Sequence, residues 1–88
     1  MTSTETRRRC NDALIALNDR DGATADRLAD VVNGLGNIEG YSRSVAARKA
    51  GTDLATASRL LDLLAGAGQV EWAGNGAWRR FHARSVSA

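Results

Sequence analysis

The chain has 88 residues, a formal net charge of +2, no proline and an apolar content of 43%. This length allows one domain near the lower limit for a self-supporting core, and the composition argues against a disordered protein. The single cysteine excludes an internal disulfide or a cysteine-rich metal site, and no apolar run could cross a membrane, so we expect a cytoplasmic protein.

The first amphipathic segment follows a polar start, residues 1–5, that we expect to be disordered. Between Thr6 and Asn18 the apolar residues recur at helical spacing and predict one stripe, made of Cys10, Ala13, Leu14 and Leu17. Ile15 falls off that stripe. Such a helix either packs on the domain's own core or pairs with a second copy of the chain, and the sequence leaves both alternatives open.

A second predicted helix follows a polar break at residues 18–22. Thr24 is its expected N-cap, with Asp26 in the first turn. Its apolar stripe is formed by Leu28, Val31, Val32 and Leu35. The glycines at positions 34 and 36 are expected to end it.

Residues 42–66 have the pattern of two helices joined by a tight turn. Gly51 suits a turn residue with positive φ, and Asp53 is the expected N-cap of the second helix. Small residues stand where the two helices would cross, and apolar residues line the inner face: Ala47, Ala57, Leu60, Leu61 and Leu64.

Residues 69–83 predict two antiparallel strands. Residues 70–72 alternate apolar with polar, residues 74–76 supply a tight loop, and residues 77–82 resume an extended run. Trp72 is expected in the core under the sheet, whereas Trp78 could pack or contact a ligand at the hairpin tip. With Phe81 facing inward, Arg79 would share its face. Either Arg79 then lies beyond the core edge near the loop, or a bulge shifts it.

Together, these motifs over residues 24–83 resemble the winged helix-turn-helix family of bacterial, phage or plasmid type. The expected fold is mainly α with a small antiparallel β-hairpin (α+β), a winged helix with an extra N-terminal helix. We expect a single domain over residues 6–84, with a tail at 85–88. The resemblance also implies a short strand near Ile38 that pairs with the hairpin.

In the family, the second helix of the motif lies in the DNA major groove and the hairpin touches the backbone. Carried over by position, the contacts to double-stranded DNA would be made by Arg43, Arg48, Lys49, Leu54, Ala55, Thr56, Ser58, Arg59, Trp78, Arg79 and Arg80, with Asp62 on the same helix face. The Arg59 guanidinium could make a bidentate contact to a guanine, with two hydrogen bonds to the same base. Because few of these side chains donate hydrogen bonds to bases, we expect modest base discrimination.

Charge is divided unevenly along the chain. Residues 1–40 carry five arginines against seven acidic residues, a net charge of −2. Residues 41–88 carry seven basic residues against three acidic ones, a net charge of +4, where a phosphate backbone would be met. Eleven of the 12 basic residues are Arg, which suits bidentate contacts, although a GC-rich genome also explains that bias.

Double-stranded DNA binding is therefore the leading expectation, in a small transcriptional regulator or in the DNA-binding module of a replication, partition or transfer machine. The alternative is a winged helix that serves protein–protein association. A homodimer through the N-terminal helix is open as well. His82 and Cys10 form no ligand set or nucleophile–base pair, so we expect no enzyme, metal or cofactor. No membrane partner or small-molecule ligand is indicated.

Overall fold

Four helices precede a small antiparallel hairpin in the computed structural model, which describes residues 3–74 and 76–84 without the side chain of Trp78. The helices are α1 (Thr4–Ile15), α2 (Asp19–Asn33), α3 (Arg43–Ala50) and α4 (Leu54–Gly66). The strands are β1 (Val70–Ala73) and β2 (Arg80–Ala83), joined through a 3-10 turn at Gly76–Trp78. The expectation of a mainly α protein with a small β-hairpin is confirmed. Within the described residues, no helix is long and apolar enough to cross a membrane.

The start of α1 differs from the prediction. Ser3 is the N-cap, and its hydroxyl accepts a hydrogen bond from the backbone N–H of Thr6 at 3.1 Å. Residues 3–5, expected to be disordered, therefore belong to the helix and its cap, while residues 1–2 and the predicted tail at 85–88 lie outside the described residues. The helix ends at Ile15, three residues before the predicted end.

Helix α1 packs against α4 of its own chain. At Gly66 the helices approach so closely that a Cβ atom would overlap the Sγ of Cys10. Leu14 and Leu17 pack against the core, yet no residue of α1 itself is fully buried, and Ile15 is 82% exposed. Packing on the domain's own core, the first of the two alternatives for this helix, is therefore observed, and pairing with a second copy stays a prediction.

The predicted N-cap of α2 is wrong. Asn18 caps the helix instead, because its side-chain oxygen accepts from the backbone N–H of Asp21 at 2.8 Å. Thr24 is buried inside the helix, and its hydroxyl donates to the Arg20 carbonyl at 3.0 Å. The prediction that Leu35 belongs to the apolar stripe of α2 is also wrong, since the helix ends at Asn33 and Leu35 is 99% exposed.

Tyr41, and not Ile38, is the residue that pairs with the hairpin. Its backbone N–H donates to the Phe81 carbonyl at 2.9 Å, and its carbonyl accepts from the Phe81 N–H at 2.8 Å. Ile38 is 85% exposed. Asn37 precedes it, and its side-chain nitrogen donates to the Val32 and Phe81 carbonyls, which ties this link to the end of α2 and to β2.

The hairpin pairs Val70 with Ala83 and Trp72 with Phe81. The second strand begins at Arg80, three residues later than predicted, because the 3-10 turn occupies residues 76–78. The core beneath it joins α2, α3, α4 and both strands. Its largest fully buried side chains are Leu28, Val32, Leu60, Leu61, Leu64 and Phe81.

Candidate nucleic-acid interface

The turn between α3 and α4 forms as predicted. Gly51 has a φ of 71°, the left-handed conformation that glycine adopts without strain. The N–H of Thr52 donates to the Ala47 carbonyl at 3.0 Å, which satisfies the end of α3. Asp53 then caps α4 by accepting from the Thr56 N–H at 3.0 Å. The first turn of α4 is therefore fixed by hydrogen bonds.

The Asp53 cap gives a pH-dependent prediction. Hydrogen bonds from the Thr56 side chain and then from the Thr56 backbone N–H lower the pKa of the Asp53 carboxyl. Its stabilising contribution is therefore complete above the unfolded-state pKa of about 3.9 and is lost as the pH falls through the lower folded-state value. We expect Asp53→Ala to lower the melting temperature at pH 7 more than Asp53→Asn, which keeps a capping oxygen.

Thermal unfolding followed by circular dichroism from pH 7 to pH 2 measures this effect. The difference between the native protein and Asp53→Asn should vanish at the acid end of the series. A difference that stays constant across the series would contradict a role for the carboxylate charge.

The solvent side of α4 extends over the first nine residues of the helix, from Leu54 to Asp62. Ala55, Arg59 and Asp62 are exposed, and Ser58 is half-buried beside them. Leu54 is 52% exposed at the first position of the helix. Thr56 is half-buried and faces a groove shared with the N-terminus of α2. The later part of the helix is closed by α1, because Cys10 and Thr6 lie over Gly66.

Arg43 connects three elements around this helix face. Its guanidinium donates to the Ser58 carbonyl at 3.1 Å and to the Asp62 carboxylate at 2.6 Å, both on α4. The same group lies over the Trp72 and Phe81 rings, 5.3 and 5.1 Å from their centroids. Arg43 therefore joins α3, α4 and the hairpin. Within the free protein it is a bridging side chain rather than an unengaged cation.

The hairpin tip lies next to that bridge. The Trp72 ring is half-buried against the core, with its centroid 4.4 Å from that of Phe81, as predicted. Arg79 is exposed just before β2, and its guanidinium lies 5.1 Å from the Trp72 centroid. Of the two alternatives for Arg79, the position beyond the core edge is the one observed. Trp78 lies in the 3-10 turn, and its side chain is outside the described part of the structure.

The hydrogen bonds of the Arg80 side chain are made within the hairpin. One of its guanidinium nitrogens donates to the Ala77 and Arg79 carbonyls, at 3.0 and 2.8 Å. These bonds close the turn that precedes β2. Arg80 therefore adds charge beside the tip while it supports the turn.

The remaining predicted cations point in different directions. Arg59 forms an ion pair at 2.9 Å with Asp21, near the start of α2 and away from the hairpin tip. Lys49 lies over the Tyr41 ring, 5.4 Å from its centroid. Arg48 is exposed and forms no ion pair with another described residue. Contacts thus join Arg43, Ser58, Asp62, Trp72 and Arg79, whereas Arg59 and Lys49 contact other residues, and no hydrogen bond, ion pair or ring contact within the described residues joins Arg48 to this group.

Sequence reasoning missed the carboxylate partners in this region. Asp62 follows Ser58 by one helical turn, so its helix face was predictable from the spacing. Its contact with Arg43, 19 residues away, and the Arg59 contact with Asp21, 38 residues away, depend on tertiary packing and leave no trace in the spacing. Among residues 3–74 and 76–84, no three His, Cys, Asp or Glu side chains assemble into a metal-ion site.

Comparisons with known proteins give no further guide. No protein-family model matches the sequence, and the comparisons with curated proteins and with solved structures returned no match. Any functional conclusion therefore depends on the geometry of the site itself.

Proposed function

We propose that this chain binds double-stranded DNA, with the first two turns of α4 in the major groove and the hairpin tip against the neighbouring phosphates. The observation that carries the proposal is the Arg43 bridge, which holds Ser58 and Asp62 of α4 beside Trp72 and Arg79 of the hairpin. A helix face and a cation-bearing tip can then meet one duplex from the same side. A major groove about 12 Å wide accepts an α-helix.

Each part of this surface has a distinct role in the proposal. Leu54 and Ala55 would contact thymine methyl groups, and the Ser58 hydroxyl would bond a base or a phosphate. Arg79 would bind a phosphate, because it is exposed at the tip. On binding, the Arg59 guanidinium would leave the Asp21 carboxylate and bond to a guanine instead. Their ion pair is about half-exposed on the arginine side and more buried on the aspartate side, with side chains 53% and 24% accessible, so the exchange gives up a modest interaction.

Few base-reading donors face the groove in this arrangement, so sequence preference would be modest. Phosphate contacts would supply most of the affinity, consistent with the net charge of +4 over residues 41–88, which carry seven basic and three acidic residues. Such a protein would act as a small transcriptional regulator, or as the DNA-binding module of a replication, partition or transfer machine.

Salt dependence tests the proposal. Binding to a 20-base-pair duplex, followed by fluorescence anisotropy, should weaken steeply as salt rises, with a log–log slope of about −0.9 per phosphate contact. We expect Arg79→Gln to make the slope shallower by about one unit. Arg8→Gln is the matched control, because Arg8 is exposed on α1 and lies outside the proposed interface.

A slope near zero, or equal losses from Arg79→Gln and Arg8→Gln, would reject the proposed interface. A protein-binding surface is the second candidate function, because the half-exposed Leu54 and the Asp62 carboxylate both stand on the same helix face. In that case the affinity for the protein partner should depend little on salt, and Leu54→Ser should abolish binding.

A further inference from the structure

One ion pair joins the arginine on the outward face of α4 to a different helix. A guanidinium nitrogen of Arg59 lies 2.9 Å from a carboxylate oxygen of Asp21, a residue 38 positions earlier in the sequence. Arg59 is exposed on α4, whereas Asp21 belongs to the first turn of α2. In the free protein, the side chain proposed to bond to a guanine is therefore already engaged.

The position of Asp21 is set by the start of α2. Its backbone N–H donates to the side-chain oxygen of Asn18, the N-cap, at 2.8 Å. Asp21 and Thr56 line the same groove, which lies between the N-terminus of α2 and the turn before α4. Arg59 follows Thr56 by about one helical turn, so its side chain meets the carboxylate beside this groove.

Release of Arg59 breaks a single contact. Among the described residues, Asp21 is the only partner with which the Arg59 guanidinium forms a hydrogen bond, an ion pair or a ring contact. Arg43 differs, because its guanidinium bonds to two groups of α4 and lies over two aromatic rings. Of these two arginines, only Arg59 can change partners while the bridge between α4 and the hairpin stays intact.

The Asp21 carboxylate stays stabilised after such a release. The N-terminus of a helix carries a partial positive charge, which favours a carboxylate in the first turn. Asp21 lies in that turn of α2, and 24% of its side chain is accessible to water. The ion pair can therefore open without leaving a buried charge unpaired, at the modest cost of a partly exposed contact.

We propose that Asp21 competes with DNA for Arg59 and so acts as an autoinhibitory residue. The inference rests on the proposed function and names a contact that limits the affinity of that interface. In the proposed complex Arg59 leaves Asp21, so each molecule has to open the ion pair before this side chain can bind. The apparent affinity is then reduced according to the fraction of molecules in which the pair is open.

A double-mutant cycle tests the competition. Fluorescence anisotropy with one 20-base-pair duplex at fixed salt compares the native chain, Asp21→Asn, Arg59→Gln and the double variant. Asp21→Asn keeps the size of the side chain and removes its charge, so we expect it to tighten binding by about 1.5- to 5-fold, the range for a partly exposed ion pair. The same substitution in the Arg59→Gln background should lose this gain.

Asp19→Asn is the matched control for the loss of a negative charge. Asp19 lies in the same turn of α2, is exposed and forms no ion pair with another described residue. Its substitution removes one charge without releasing an arginine, so binding should tighten less than with Asp21→Asn. Circular dichroism should show native helical content for every variant, because the substituted side chains lie outside the core.

The outcomes separate the inference from the proposed function. If neither the native chain nor any variant bound the duplex, the DNA-binding proposal would be rejected and the inference with it. If the native chain bound, but Asp21→Asn bound no more tightly than Asp19→Asn, only the inference would be overturned. A gain of equal size with and without Arg59 would overturn it too, because Asp21 would then act through its charge alone.

Discussion

Replacing Phe81 by alanine should cost about 3–5 kcal/mol of unfolding free energy, the usual range for removing a buried aromatic side chain. Phe81 is fully buried, its ring stacks beside that of Trp72, and its backbone pairs with Tyr41. The substitution therefore leaves a cavity at the junction of the hairpin and the helices. Because a domain of this size is expected near the lower end of about 5–15 kcal/mol, the variant would keep only about 0–2 kcal/mol, and a measurable fraction should be unfolded without denaturant. Urea denaturation followed by circular dichroism measures the loss.

Ile38→Ala is the matched control for that measurement. Ile38 is 85% exposed, so its truncation in the monomer should change stability by no more than about 0.5 kcal/mol. The loss of unfolding free energy for Phe81→Leu should lie between the losses for Phe81→Ala and Ile38→Ala. A loss below about 1 kcal/mol for Phe81→Ala would show that the hairpin is not part of the folded core.

If the chain binds DNA as proposed, substitution of Arg43 should have the largest effect on the affinity, and lysine should not restore it. A lysine keeps the charge, but its ammonium group cannot donate to Ser58 and Asp62 while it lies flat over the Trp72 ring. We therefore expect Arg43→Lys and Arg43→Ala both to weaken binding, by roughly tenfold or more, since the hairpin tip loses its fixed position beside α4. Fluorescence anisotropy with one duplex at fixed salt gives the comparison.

Arg48→Lys is the corresponding control, because Arg48 is exposed and has no ion pair among the described residues. A phosphate contact accepts either cation, so this variant should bind about as tightly as the native chain. If Arg43→Lys also bound with native affinity, Arg43 would act through its charge alone, and the bridge would have no part in recognition.

Local patterns predicted the centre of the fold well. The buried leucines of α4, the left-handed Gly51 and the Asp53 cap all follow from neighbours a few residues away. The errors arose where two local preferences competed. Thr24 and Asn18 are both good N-cap residues, and the acidic side chains after Asn18 favour the earlier start. Leu35 continues the apolar spacing of α2, yet Gly34 ends the helix before it.

The candidate site was less predictable than the fold. Spacing identified the outward face of α4, but it could not show that Arg59 on that face pairs with Asp21 of α2, or that Asp62 pairs with Arg43 of α3. The same limit applies to Tyr41, whose pairing with Phe81 joins residues 40 positions apart along the sequence. Contacts between distant segments depend on how the helices pack, and a single sequence does not encode them in its periodicity.

We expect the packing of α1 to give the domain two levels of stability. Every fully buried side chain among the described residues lies between Thr24 and Phe81, so α1 contributes only half-buried side chains, such as Leu14, to the packing of the core. Lifting α1 away would uncover Cys10 and Gly66 while the hairpin and the other three helices kept their places. Opening of this kind needs less free energy than global unfolding. The far half of α4 would then become accessible and would lengthen the proposed DNA interface along this helix.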